Sequence, residues 1–164
     1  RDLVNALIHL AQRRLVLVTP YFVPDDATLN AIRMAALSGV DVQLVLSATS
    51  NQALTAWAQR AYYAELLDAG VRIALHRPRF LHAKHMSVDD DIALIGSINL
   101  DIRSFALNAE LGLVCYDRDV VRRMRAIEAS LLADCDVLVA GDWHGRAPWR
   151  RSLEGIARLA DSFL

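Results

Sequence analysis

Lys84 is the only lysine in a chain with 18 lysine and arginine residues, and it stands two positions after His82 and five before Asp89. Arginine carries a planar fork of donors, whereas lysine ends in a compact, rotatable point charge, so a position reserved for lysine suggests a tight space. If residues 81–88 form a strand, side chains of equal parity share a face. His82 and Lys84 then point the same way, about 7 Å apart along the strand. That separation brackets a phosphate, with an imidazole on one side and an ammonium on an equatorial oxygen. Ser97 and Asn99 follow in "GSIN" and add hydrogen-bond donors without charge. Gly96 lets the backbone come close.

Two carboxylates stand near this set. Asp89 has the opposite parity from His82 and falls at a turn, so it is expected to hold the hairpin, through backbone amides, more than to orient the imidazole. Glu110 sits in the apolar run 107–116, read as a strand, where an unpaired carboxylate is costly. A histidine Nδ1–H would satisfy it and leave Nε2 free to attack phosphorus. A salt bridge with Arg103 is the alternative for Glu110. The catalytic candidates are therefore His82, Lys84, Asp89 and Glu110, and the phosphate-binding candidates are Lys84, Gly96, Ser97 and Asn99. A metal at His82, His85 and Asp89 is disfavoured, because parity splits the two histidines. His85 is read as structural, and no cofactor is expected.

The elements that must carry these residues begin with a helix at 3–11 and an apolar strand at 15–19. Asp25 or Asp26 can cap a helix running to Ser38, which Gly39 ends in a left-handed turn. A strand at 40–47, a helix at 53–69 closed by Gly70, and a strand at 71–75 complete a β-α-β-α-β series. Its strands should lie parallel. Residues 81–88 and 92–96 read as a hairpin. A strand at 107–116, a helix at 118–134 and a last amphipathic helix at 149–163 follow. The fold class expected is α/β, a mixed and largely parallel sheet with helices on both faces, in one domain spanning 1–164.

Composition narrows the function. Hydrophobic residues make up 54% of the 164, which excludes a disordered chain. A net charge of -1 offers no global basic field, which argues against nucleic acid as a partner. Cys115 and Cys135 are too few for a disulfide framework. No run approaches the roughly 20 apolar residues of a membrane span, so the chain itself is expected to be soluble. It opens on Arg1 inside a helix-like pattern, which suggests a fragment of something longer.

"HAKHMSVDDDIALIGSIN" fits H-x-K-x4-D-x6-G-S-x-N and so resembles the phospholipase D superfamily. "TPYFVPDD", "AYYAELLDAGVRI", "GSINLDIRSFALNAELGL" and the "PWRRSLEGIARL" tail are similar to the C-terminal half of bacterial cardiolipin synthases. The resemblance implies a two-step phosphatidyl transfer, from phosphatidylglycerol to cardiolipin plus glycerol, through a phosphohistidine. A second histidine would serve as acid and then base. It also implies that the site needs two motif copies, and His9, His76, His85 and His144 have no lysine two residues on. The partner half is then a missing N-terminal domain or a homodimer mate, as in one-motif nucleases of the superfamily; an inactive half serving dimerisation or lipid binding is a third possibility. Membrane association of the full-length protein is implied as well. "SATSNQ" is uncharged where family members often carry a P-G-K-S-D loop. Trp149, Arg150 and Arg151 ahead of the last helix fit either a lipid surface or a helix docked on its own core. Tyr21 fits either a site residue or a packing aromatic.

Overall fold

The computed structural model describes residues 1–159. Helix α1 (Asp2–Leu10) buries Val4, Leu7 and Ile8 on one face. Strand β1 (Arg14–Val18) follows, then a two-residue strand β2 (Phe22–Val23) and helix α2 (Asp26–Leu37). The Asp25 carboxylate caps α2 by accepting from the Thr28 amide at 2.8 Å. Strand β3 (Asp41–Ser47), helices α3 (Ala53–Ala61) and α4 (Tyr63–Asp68), and strand β4 (Arg72–His76) complete the first half. Gly39 and Gly70 take φ of 93° and 92°, the left-handed turns that end α2 and α4 and that a side chain would strain.

The second half begins with the hairpin β5 (His85–Val88) and β6 (Ile92–Gly96). Strand β7 (Leu100–Asp101), helix α5 (Ile102–Ala106) and strand β8 (Gly112–Cys115) lead to the long helix α6 (Arg118–Ala133). Strand β9 (Cys135–Val137) and helices α7 (Ala140–His144) and α8 (Pro148–Leu159) finish the described chain.

Seven strands form one mixed sheet in the order β8-β6-β5-β1-β3-β4-β9. The β-α-β-α-β series gives its parallel part, β1, β3 and β4. The hairpin adds to one side and β9 to the other, all antiparallel. On one face Leu15, Leu17, Leu44, Ile73, Met86 and Val88 pack with α1, α2 and α4. On the other, Val16, Val18, Val45 and Ala74 pack under Leu131 and Leu132 of α6. Each of these leucine, isoleucine, valine and methionine side chains stabilises the fold by about 1.5–3 kcal/mol relative to exposure. α8 lays Glu154 and Ala157 inward, so the docked-helix alternative describes that face. Positions 160–163 of the expected helix lie outside the described residues.

Three expected elements differ. The strand expected at 81–88 starts only at His85, because the preceding backbone groups are spent elsewhere. Pro78 has no amide to give, the Leu81 amide donates to Ser47 Oγ at 3.1 Å, and His76 Nδ1 lies 3.3 Å from the Arg79 carbonyl. The strand expected at 107–116 is confined to 112–115, with a loop before it. The helix expected at 53–69 breaks at Tyr62. Strands β2, β7 and β9 are too short for a period to reveal. β2 and β7 nonetheless pair in parallel and fasten the chain after β1 to the chain after β6.

Candidate active site

The carboxyl ends of β1 and β3, the start of β5 and the end of β6 meet at one edge of the sheet. In open α/β sheets this edge is where ligands gather. His82 and Lys84 arrive there on the loop ahead of β5, and Gly96, Ser97 and Asn99 on the segment leaving β6.

His82 and Lys84 come together, although not as neighbours on a regular strand. The Lys84 Nζ lies 3.1 Å from His82 Nε2 and donates to the His82 carbonyl, also at 3.1 Å. An ammonium only donates, so this contact corresponds to the imidazole tautomer protonated at Nδ1, with the Nε2 lone pair accepting from Lys84. Burial lowers the Lys84 pKa from its ordinary value, while the Glu110 and Asp101 carboxylates pull it back up. Phe80 stands against the His82 ring at 5.8 Å between centroids, and Tyr21 stands against Phe80 at 5.9 Å. Tyr21 is thus linked to the site through Phe80, a residue the motif alone does not reveal.

Ser97 is held on three sides. Its hydroxyl donates to the Glu110 carboxylate, its oxygen accepts from the Leu111 amide at 3.0 Å, and its own amide donates to the Leu111 carbonyl at 2.9 Å. A Cβ at Gly96 would run into the Leu111 carbonyl, so only glycine lets the two segments meet. Asn99 Oδ1 is buried with no hydrogen-bond partner among the described residues.

The carboxylates divide differently from the sequence reading. Glu110 makes no hydrogen bond to His82; it accepts from Ser97 and from Asn108 Nδ2 at 3.3 Å. The reason is its place: it stands in the loop before β8, turned toward the segment after β6. Asp89 lies at the far end of β5, at the opposite edge of the sheet. Its carboxylate accepts from the amides of Gln12, Arg13 and Arg14 at 3.1, 2.8 and 2.8 Å. Burial works against that charge, but the three amides outweigh it and lower the pKa. Asp89 also takes φ 49°, a left-handed conformation that aspartate tolerates better than most residues. Its part is to lock the hairpin to the α1–β1 junction, as its parity suggested, and it does not belong with the atoms at the His82 edge.

The His85 side chain lies 6% exposed, with Nε2 3.6 Å from Glu128 Oε1. Glu128 is fully buried and accepts from Ser87 Oγ at 3.0 Å. Sequence reasoning missed this carboxylate. Its signal was present: Val121, Met124 and Glu128 form the buried stripe of α6, and an acid completing an apolar stripe needs a partner. No cluster of metal ligands is found among the described residues.

The mixed sheet with a histidine–lysine pair at its carboxyl edge defines a phospholipase D-type domain. The phospholipase D family member Nuc from Salmonella typhimurium superposes with a TM-score of 0.74 at 19% identity, over 84% of this chain and 90% of that one. Phosphatidylserine synthase from Haemophilus influenzae superposes with a TM-score of 0.78 at 20% identity, over 99% of this chain and 43% of that one. Residues 4–131 match the family model described as cardiolipin synthase, PLD-like domain, and the chain belongs to that family. It is 38% identical to cardiolipin synthase 2 of Bacillus cereus over all 164 residues, and 40% identical to cardiolipin synthase A of Buchnera aphidicola over 149. It spans about a third of each, 32% and 31% of their lengths.

Proposed function

We propose that the chain supplies one half of the active site of a cardiolipin synthase-type phosphatidyltransferase, which converts two phosphatidylglycerols to cardiolipin and glycerol. His82 Nε2 attacks phosphorus, the P–N bond forms, and the P–O bond to the leaving glycerol breaks. A histidine of a second motif-bearing half protonates that oxygen. The same group then takes the proton of the incoming hydroxyl, whose oxygen attacks phosphorus and frees His82. By symmetry the two histidines can exchange roles. Lys84 is hydrogen-bonded to the attacking lone pair before substrate binds. A phosphate draws the ammonium onto its oxygens and releases Nε2 in the same motion. Ser97, kept in place by Glu110, and Asn99 serve further oxygens, so charge is met by fixed donors.

The observation that carries this reading is the 3.1 Å contact between Lys84 Nζ and His82 Nε2, at a ligand-gathering sheet edge, in a chain of this family. The second half is supported by the chain's spanning about a third of its relatives and by an apolar rim beside the site. Ile95 and Leu113 pair across β6 and β8, and with Leu111 they are 36%, 62% and 79% exposed. A homodimeric phosphodiesterase is the second reading, favoured by the match to Nuc over 90% of that chain. No helix among the described residues is long and apolar enough to cross a membrane. Trp149, Leu153 and Ile156 line an exposed stripe of α8, suited to a lipid surface in the full-length protein.

The test is a transfer assay with radiolabelled phosphatidylglycerol, using the chain joined to the first half of a cardiolipin synthase. Cardiolipin and glycerol in equal amounts, both lost in His82→Ala, are expected. Hydrolysis alone, with no cardiolipin at any substrate density, would point to the phosphodiesterase instead.

A further inference from the structure

At the moment of attack in the transfer proposed above, the His82 imidazole loses the hydrogen bond that holds it. Lys84 grips Nε2 only until a phosphate draws the ammonium away. Glu110 is engaged by Ser97 and Asn108, and the Nδ1–H of His82 finds no acceptor among the described residues. An exposed imidazole free to turn about its last bond would aim Nε2 at phosphorus for only part of the time. Phe80 stays against the ring throughout, at 5.8 Å between centroids with 36° between the planes. Aromatic rings at such a separation attract each other beyond the area they bury.

Phe80 is itself built as a fixed post. Both of its chain neighbours are pinned by buried side chains at the ends of β3 and β4. The Leu81 amide donates to Ser47 Oγ at 3.1 Å, and the Arg79 carbonyl lies 3.3 Å from His76 Nδ1. Tyr21 stands beside the Phe80 ring at 5.9 Å between centroids, and its hydroxyl donates to Asn51 Oδ1 at 2.6 Å. The Tyr21 carbonyl accepts from Thr19 Oγ1 at 2.8 Å, and the same oxygen accepts from the Leu100 amide at 3.3 Å. Thr19 is fully buried, so it ties this post to the segment after β6 that carries Ser97 and Asn99.

We propose that Phe80 is the positioning residue that sets the plane of the His82 imidazole, with Tyr21 and Asn51 as its brace. The proposal rests on the transfer reading and adds what holds the nucleophile once Lys84 has turned to the phosphate. A ring face suits this task because it limits rotation while competing for neither imidazole nitrogen. The uncharged loop after β3 thereby reaches the nucleophile through Asn51, and its effect falls on the rate of attack and not on substrate binding.

The experiment has two readouts. One is ¹³C relaxation of the His82 ring in the chain labelled at histidine; the other is kcat and KM of the chain joined to the first half of a cardiolipin synthase. The wild-type ring is expected to be as ordered as the backbone, and in Phe80→Leu its order parameter should fall below about 0.6. Melting and KM should hold in Phe80→Leu while kcat drops about 10- to 100-fold. Phe80→Tyr keeps the ring face and should recover most of both. Tyr21→Phe removes the bond to Asn51 and should cost about fivefold in kcat, with a smaller loosening of His82. An ordered His82 ring and an unchanged kcat in Phe80→Leu would overturn the proposal, as would a Phe80→Tyr variant impaired as much as Phe80→Leu at equal melting. If Phe80→Leu melts lower, Tyr21→Phe decides, and wild-type order and kcat there would overturn the brace. If the ring loosens as expected but His82→Ala still turns over, the transfer reading falls and the positioning contact stands.

Discussion

A lysine 3.1 Å from the imidazole nitrogen proposed to attack leaves little space for anything larger. Lys84→Arg keeps the charge but brings a planar fork, which cannot give one donor to Nε2 and one to the His82 carbonyl from the same point. Melting should be unchanged while turnover falls roughly 100-fold; wild-type rates would mean that any cation serves. In the proposed site Glu110 acts through Ser97, whose hydroxyl donates to it. Ser97→Ala should therefore cost about 100-fold in rate, and Glu110→Gln combined with it should cost little more. Fully additive losses would show that Glu110 touches the reaction by another route. Asp89→Asn keeps a residue that tolerates φ 49° but points an NH₂ at backbone amides, so about 1–3 kcal/mol of stability should go. Because its folded pKa is lowered, that contribution is present at neutral pH and is lost as the pH falls below the ordinary aspartate range. Chemical melts of Asp89→Asn at pH 7 and pH 3 read both; equal melts of variant and wild type at pH 7 would show that the three amides contribute nothing. The identities of these residues were legible in the sequence because chemistry constrains types and gaps. The partner of Glu110 was not, because a loop in place of a strand turned its carboxylate toward Ser97.

At the scale of elements, β5 carries two surfaces. One end delivers Lys84 to the site, and the flank behind it buries His85 and Ser87 against Glu128 of α6. Burial lowers the His85 pKa to about 4 and raises that of Glu128, with Arg14 and Arg125 supplying the nearby positive charge. The sign for His85 follows from its folded value lying below the unfolded value of about 6.5. The unfolded chain binds more protons between those values, so stability is full above pH 6.5 and declines as the pH falls toward 4. The decline attributable to His85 is about 3 kcal/mol. Urea melts of wild type and His85→Gln at pH 7 and pH 4.5 should converge or cross in that sense; parallel curves would show that His85 titrates normally. His85 does lie away from His82, against Glu128, although the parity argument for it assumed a strand that begins only at His85. That 81–84 is a loop escaped the sequence, because what fixes it is a serine 34 residues earlier taking the Leu81 amide. Long-range side-chain bonds of this kind leave no period to read. The parallel series β1, β3 and β4 was legible because each crossover is of helix length and each return is marked by glycine.

Across the whole molecule, one histidine–lysine pair lies open at a sheet edge beside an apolar rim. In the proposed transfer an alkoxide leaving group needs a proton, and the described residues at this edge offer no second acid: Lys84 is assigned to the phosphate, and Glu110 is engaged by Ser97 and Asn108. The proposed mechanism therefore calls for a second motif-bearing half within hydrogen-bond reach of the same phosphate. The most direct measurement is specific activity toward a short-chain phosphodiester over a dilution series, for the chain alone and with the first half of a cardiolipin synthase supplied. Activity of the chain alone should vanish as it becomes monomeric, His82→Ala chains mixed with wild type should depress it more steeply than dilution does, and the added half should restore it. Constant specific activity in a strictly monomeric preparation would contradict a shared site.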